Sequence, residues 1–204
     1  MNKSRRNVKK GIKKYAAHIN YKYLLAGAAI ILVLILIIFG VKGCGVNHKT
    51  PEGVVTDLVK AGVDGKEKAM KDCYGAKKDT PEDLQKEIDA TIKYYQAHNV
   101  NELQIDDCEV LSEKENYSYV YIVYDLILEN KQAYPCISTY MVSKKEKKYY
   151  VLPPSDITEE MSRQAAEDYA KFMTTDTYKN YTKAYDTFIK KNPGYEDKIA
   201  GKLI

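Results

Sequence analysis

The chain has 204 residues with 45% apolar and 29% charged side chains, which suits one ordinary domain plus an appendage and excludes a disordered chain. Its formal charge of +4 is unevenly spread: residues 1–41 hold eight Lys/Arg and no Asp/Glu, leaving −4 for residues 42–204. A mildly acidic main body argues against nucleic acid as a partner, because polyanions need a basic face.

From the N-terminus, residues 1–23 form a basic arm, with Lys3, Arg5, Arg6, Lys9, Lys10, Lys13, Lys14 and Lys22. Residues 24–41, LLAGAAIILVLILIIFGV, carry no charge and no strongly polar side chain. As a helix they would span roughly 27 Å, close to a bilayer core. Tyr21 and Tyr23 stand where aromatic rings favour the interface. The spacing therefore predicts a single transmembrane helix at the cell membrane. The charge bias predicts a cytoplasmic N-terminus and an extracytoplasmic C-terminal domain. Val41-Lys42-Gly43-Cys44 resembles a lipoprotein cleavage box, with Cys44 as the candidate lipidation site. Lys42 departs from that pattern, so an uncleaved anchor is the preferred reading and a lipoprotein the alternative. Residues 42–49 read as a polar linker.

Three helices are then expected. Thr50-Pro51-Glu52 is a start signal, with Thr as N-cap and Pro in the first turn, and Gly62 is placed to close that helix. A second helix over about 66–74 would bury Ala69, Met70 and Cys73 and stop at Gly75. Thr80-Pro81-Glu82 repeats the start signal, and Leu84, Ile88, Ile92 and Tyr95 mark one face of a helix ending near Asn99.

The period then changes. Strands are expected at 103–111, 117–128, 134–143 and 148–152, joined by short charged turns as in an antiparallel meander. In the second strand Val120, Ile122, Tyr124, Leu126 and Leu128 share one face. Tyr119, Tyr121, Val123, Asp125 and Ile127 share the other. Pro153-Pro154 ends the sheet. Asp156-x-x-Glu159 reads as a capping box opening a helix striped by Ile157, Met161, Ala165, Tyr169 and Phe172. Thr174 or Thr175 caps the next helix, striped by Tyr178, Tyr181, Tyr185, Phe188 and Ile189. Asn192-Pro193-Gly194 breaks it, and a frayed helix is expected to the end. Residues 50–153 are thus expected as an α+β domain, three helices on a curved four-stranded antiparallel sheet, with residues 154–204 as a helical extension.

That order resembles the nuclear transport factor 2-like superfamily, the cone-shaped α+β fold. Residues 50–75, TPEGVVTDLVKAGVDGKEKAMKDCYG, are similar to the opening of such domains on bacterial membrane proteins and lipoproteins. The likeness covers about residues 50–153. Those domains usually end on their sheet, so the helices after residue 153 depart from the pattern. The arrangement of arm, single membrane pass and outer cone also resembles the bitopic assembly factors of type IV secretion and conjugation machines, which act as protein–protein scaffolds. Cone-fold isomerases and dehydratases hold Asp, His and Tyr in their pocket. By that resemblance Tyr121, Asp125 and Tyr140 form the candidate pocket, against the simpler reading of Asp125 as a solvated strand residue.

Elsewhere the chemistry is sparse. His18, His48 and His98 show no metal-ligand spacing, and His98 at a helix end reads as a dipole partner. No nucleophile motif or phosphate loop is present, and no cofactor or metal is expected. Cys73, Cys108 and Cys136 are either free buried thiols or one disulfide from Cys73 to Cys108 or Cys136. Asn116-Tyr117-Ser118 and Asn180-Tyr181-Thr182 match glycosylation acceptors, a match set aside because the arm and Cys44 look bacterial. The stripe Tyr178, Tyr181, Tyr185 and Phe188 either covers the domain's own sheet or docks a partner. The functional expectation is a non-catalytic, membrane-tethered binding or assembly module whose partners are the membrane and other envelope proteins. The alternatives are a secretion-machine assembly factor, or a lipoprotein or cone-fold enzyme acting on a small molecule.

Overall fold

The computed structural model describes residues 45–76 and 78–204. The basic arm, the apolar run 24–41, His18 and Cys44 lie outside the described residues. Among the described residues no helix is long and apolar enough to cross a membrane.

The first helix, α1 (Pro51–Val63), starts as its sequence dictates: the Thr50 side chain accepts from Gly53 N at 3.0 Å. Gly62 does not close it. That glycine lies within the helix beneath the Tyr95 ring, and Gly65, at φ +64°, makes the turn instead. Helix α2 (Glu67–Cys73) stops before Gly75, at φ +73°. Helix α3 (Glu82–His98) ends on Asn99 in the left-handed conformation. Its Thr80 is not a cap: the hydroxyl donates back to the Ala76 carbonyl at 2.8 Å.

Four antiparallel strands follow in meander order: β1 (Val100–Glu113), β2 (Ser118–Leu128), β3 (Ala133–Lys145) and β4 (Lys148–Val151). Register shifts at Val100/Glu102, Ile105/Asp107 and Val110/Ser112 mark irregularities along β1, the kind that bend an edge strand. The β2 faces separate as their alternation requires. Val120, Ile122, Tyr124, Leu126 and Leu128 enter the main core with Val54, Val55, Leu58 and Val59 of α1. Helix α1 crosses this face and meets all four strands.

The helices after the sheet belong to the same unit, Gly45–Ile204. Pro154–Asp156 is a 3-10 turn, and Thr158, rather than Asp156, caps α4 (Glu159–Phe172) by accepting from Met161 N at 3.2 Å. Helix α4 covers the second sheet face: Ala165 packs with Tyr117, Tyr119 and Met141, and Phe172 with Tyr121 and Val123. Asp168 pins it to the β1–β2 turn through Lys114 at 2.7 Å, and this pairing holds the Asp168 carboxyl below the usual carboxylate range.

Helix α5 (Asp176–Lys191), capped by Thr175, lies against β3. Because β4 pairs only with Val142–Lys145, the earlier part of β3 has no strand beyond it, and α5 covers that side. Helix α6 (Tyr195–Leu203) is a packed element rather than a frayed end. Ile199 is buried, and the helix lies against α3. At the opposite end of the body the linker is tied down. Tyr149 N donates to the His48 carbonyl at 3.0 Å, and His48 Nδ1 bonds the Tyr149 carbonyl at 2.7 Å. Nearby, Asn47 N donates to Asp57 Oδ2 at 2.7 Å.

Candidate functional site

A cleft of about 410 Å³ opens where α3, β3 and α5 meet. Ala90, Thr91, Tyr94 and Tyr95 form its α3 wall, spaced by one, three and four residues so that one helical face presents all of them. Cys136 and Ser138 project from β3 on the same sheet face as Tyr124 of β2. The first helical turns of α5 supply Tyr181. Along this part of β3 no strand lies beyond it, and α5 takes that side instead.

Its floor is a chain of hydroxyls. Tyr95 and Tyr124 share a hydrogen bond at 3.0 Å, and Tyr124 meets Ser138 Oγ at 3.3 Å. Tyr95 and Tyr124 are 4% and 3% exposed, while Ser138 is half-buried and nearer the mouth. Burial pushes the Tyr95 and Tyr124 phenols well above their ordinary range, and the Tyr181 phenol up to about 12. Burial likewise raises the Cys136 thiol far above its ordinary range, so the thiolate that would make it a nucleophile is suppressed. Among the described residues no Asp, Glu, Lys, Arg or His lines this cleft.

A clasp from α6 braces one wall. Glu196 Oε1 accepts from Tyr134 at 2.7 Å and from Tyr185 at 2.8 Å, joining the start of β3 to α5. Behind Tyr134, His98 stacks among Tyr94, Tyr134 and Tyr195, with centroid distances of 4.6, 4.7 and 5.6 Å. Its Nδ1 is 2.9 Å from the Tyr195 hydroxyl, and its Nε2 is buried with no partner. Burial lowers the His98 imidazole to about 4. It is therefore a neutral core residue rather than the charged dipole partner expected at a helix end.

The candidate pocket of Tyr121, Asp125 and Tyr140 does not assemble. Tyr121 and Asp125 lie on the β2 face opposite the main core, whereas Tyr140, cross-strand from Val120, packs on the main-core side. Strand alternation alone separates them. The Tyr121 hydroxyl donates to Asp107 at 2.6 Å. Asp125 instead borders a second hollow of about 540 Å³ with Lys183, Thr187 and Lys191 of α5, and burial followed by nearby Asp106 raises its carboxyl. Tyr140 packs against the main core and is not among the residues that line the cleft.

Of the aromatic stripe, Tyr178 and Tyr181 pack with the cluster around Phe172, while Tyr185 and Phe188 join the main core, so the stripe covers its own domain. Cys73, Cys108 and Cys136 are free thiols. Sequence patterning missed Tyr94, Tyr95, Tyr124, Tyr134 and Ser138. Tyr95 and Tyr124 already sat on inward-facing registers, and the signal that distinguishes them is a hydroxyl where a core position normally takes a methyl.

No protein-family model matches the sequence, and no curated protein matches it. Among solved structures, one from Campylobacter jejuni described as a "Putative NTF2-like transpeptidase" is similar to this chain at 16% identity, with a TM-score of 0.36. The match covers 51% of this chain and 98% of that one.

Proposed function

We propose that the chain is a membrane-tethered, extracytoplasmic binding or assembly module of the nuclear transport factor 2-like cone type, with the tyrosine cleft as its ligand site. The observation that carries the reading is the cleft: concave, within the usual range of about 300–1,000 Å³ for small-molecule sites, aromatic, and free of formal charge. Its lining thiol and phenols are held protonated at neutral pH, which favours recognition over acid–base or nucleophilic chemistry. The tether rests on the apolar run 24–41 and the charge asymmetry around it. Anchoring near a surface raises the module's effective concentration toward its neighbours.

Two measurements test this. A reporter fused after Ile204 is expected to be active only outside the cytoplasm, and activity inside would refute the topology. For binding, the absence of tryptophan makes Tyr181→Trp a unique fluorophore in the cleft. A low-molecular-mass extract of the source cells is expected to change its emission saturably, and Ser138→Tyr, which fills the cleft, is expected to abolish that change. A silent Tyr181→Trp reporter would refute the binding site.

A further inference from the structure

We infer that the cleft takes an uncharged, polyhydroxylated ring: a neutral sugar, bound with its flat face on tyrosine and its hydroxyls on the cleft floor. This rests on the binding reading above and names the ligand class for that site.

The cleft selects first by charge. Among the described residues the lining has no Asp, Glu, Lys, Arg or His, and the Glu196 carboxylate behind Tyr134 is committed to the Tyr134 and Tyr185 hydroxyls, so a carboxylate, phosphate or ammonium finds no partner on the walls. Burying such a charge unpaired is costly, so charged ligands are rejected.

The floor selects next by its supply of protons. Linked end to end, the Tyr95, Tyr124 and Ser138 hydroxyls spend two of their three protons on one another, and Ser138, nearest the mouth, keeps lone pairs to offer. The floor is therefore rich in acceptors and poor in donors. It calls for a ligand that brings donors of its own, as a ring bearing several hydroxyls does. A neutral apolar ring would leave those acceptors dry, which the same desolvation penalty disfavours.

The walls then select by shape. The half-buried Tyr94 and Tyr181 come from different helices and offer aromatic surface beside the floor. Aromatic faces carry negative charge and suit the weakly positive C–H face of a saturated ring.

The test uses the full chain in phospholipid bilayers free of sugar-headgroup detergent, with Tyr181→Trp as reporter. The probes are the methyl glycosides of glucose, galactose, mannose and N-acetylglucosamine, together with glucuronate, glucosamine and indole. At least one neutral glycoside is expected to saturate the signal in the millimolar range, roughly 1–10 mM. Glucuronate, glucosamine and indole are expected to bind about tenfold more weakly or worse. Adding Ser138→Ala is expected to weaken the glycoside about tenfold, the cost of one hydrogen bond, with the fold intact by circular dichroism. The inference is overturned if no glycoside saturates, if indole binds as well as the best glycoside, or if the charged sugars bind equally. In those cases a reporter that still responds to the cell extract leaves the binding reading standing. A reporter silent to both brings down the two together.

Discussion

At the scale of single residues, one position that supports the site does so by having no side chain. Gly62 packs under Tyr95, and a Cβ there would meet the ring at 2.8 Å from Cε2. Alanine would gain up to about 1 kcal/mol of helix propensity. It would also force a buried ring that holds the cleft's hydroxyl chain, at about 1–3 kcal/mol for overpacking. The clash wins, so Gly62→Ala is expected to lower the urea midpoint with an unchanged slope. An increase in stability would show that Tyr95 yields freely. The sequence offered Gly62 as a helix stop, because a glycine near a helix end usually is one. What it does not encode locally is that Tyr95, more than thirty positions away, lies over it. Thr50 and Thr80 teach the same lesson: identical T-P-E starts, yet only Thr50 accepts from its helix, because Thr80 is committed to Ala76.

Among elements, α6 contributes most beyond its length. It holds Tyr134 and Tyr185 through one carboxylate, covers His98, and sends Lys202 to the Ala97 carbonyl at 2.5 Å. Glu196→Ala leaves two phenols without their acceptor and is expected to cost about 1–3 kcal/mol, read as earlier melting. Acid should release the same element. The His98 imidazole is lowered to about 4 from an ordinary value near 6.5, so its contribution is complete above 6.5 and is lost as pH falls through 4. Tyr94, Tyr134, Tyr195, Glu196 and Lys202 surround it, and the carboxylate favours protonation while the ammonium opposes it. Hydrogen exchange of residues 195–203 is expected to accelerate between pH 6 and 4 before the core strands respond. Simultaneous loss of α6 and β2 protection would show that the helix is no separate unit. Phe188, buried against Tyr134 and Tyr195, anchors α5 in the same way, and Phe188→Ala is expected to cost about 3–5 kcal/mol.

Across the whole molecule, element order, strand pairing and the two faces of β2 were legible because each follows from a local period. The near-continuous apolar run SYVYIVYDLIL also fits a strand covered on both sides, as α1 and α4 now show. The cleft was not legible. Its lining is drawn from positions 90 to 181, and each tyrosine has an adequate local explanation as a strand former or helix-stripe residue. Only the packing of α3 over the sheet face and of α5 beside β3 makes them neighbours. The abundance of buried tyrosine has its own global signature. Tyr140, Tyr169, Tyr181 and Tyr195 are pushed up to about 12, and Tyr95, Tyr124 and Tyr134 higher still. A raised phenol favours the fold fully below the unfolded value near 10, and that contribution is lost as pH rises through the folded values. Phenolate absorbance is therefore expected to rise in a cooperative step coincident with loss of helix signal above pH 10. A gradual titration with the fold intact would contradict the burial of these hydroxyls.

The stitch between His48 and Tyr149 has a mechanical meaning. With the anchor upstream of Gly45, as proposed, any tug between membrane and bound ligand enters the body through this linker. The two main-chain and imidazole bonds to β4, with the Asn47–Asp57 contact beside them, stand in series ahead of α1. They would give way first, paying out a few residues of slack, while Val54, Val55, Leu58 and Val59 stay seated in the core. The domain thus carries a fuse at its entrance, and a single-molecule pull from the N-terminus should record a small early extension ahead of the main rupture.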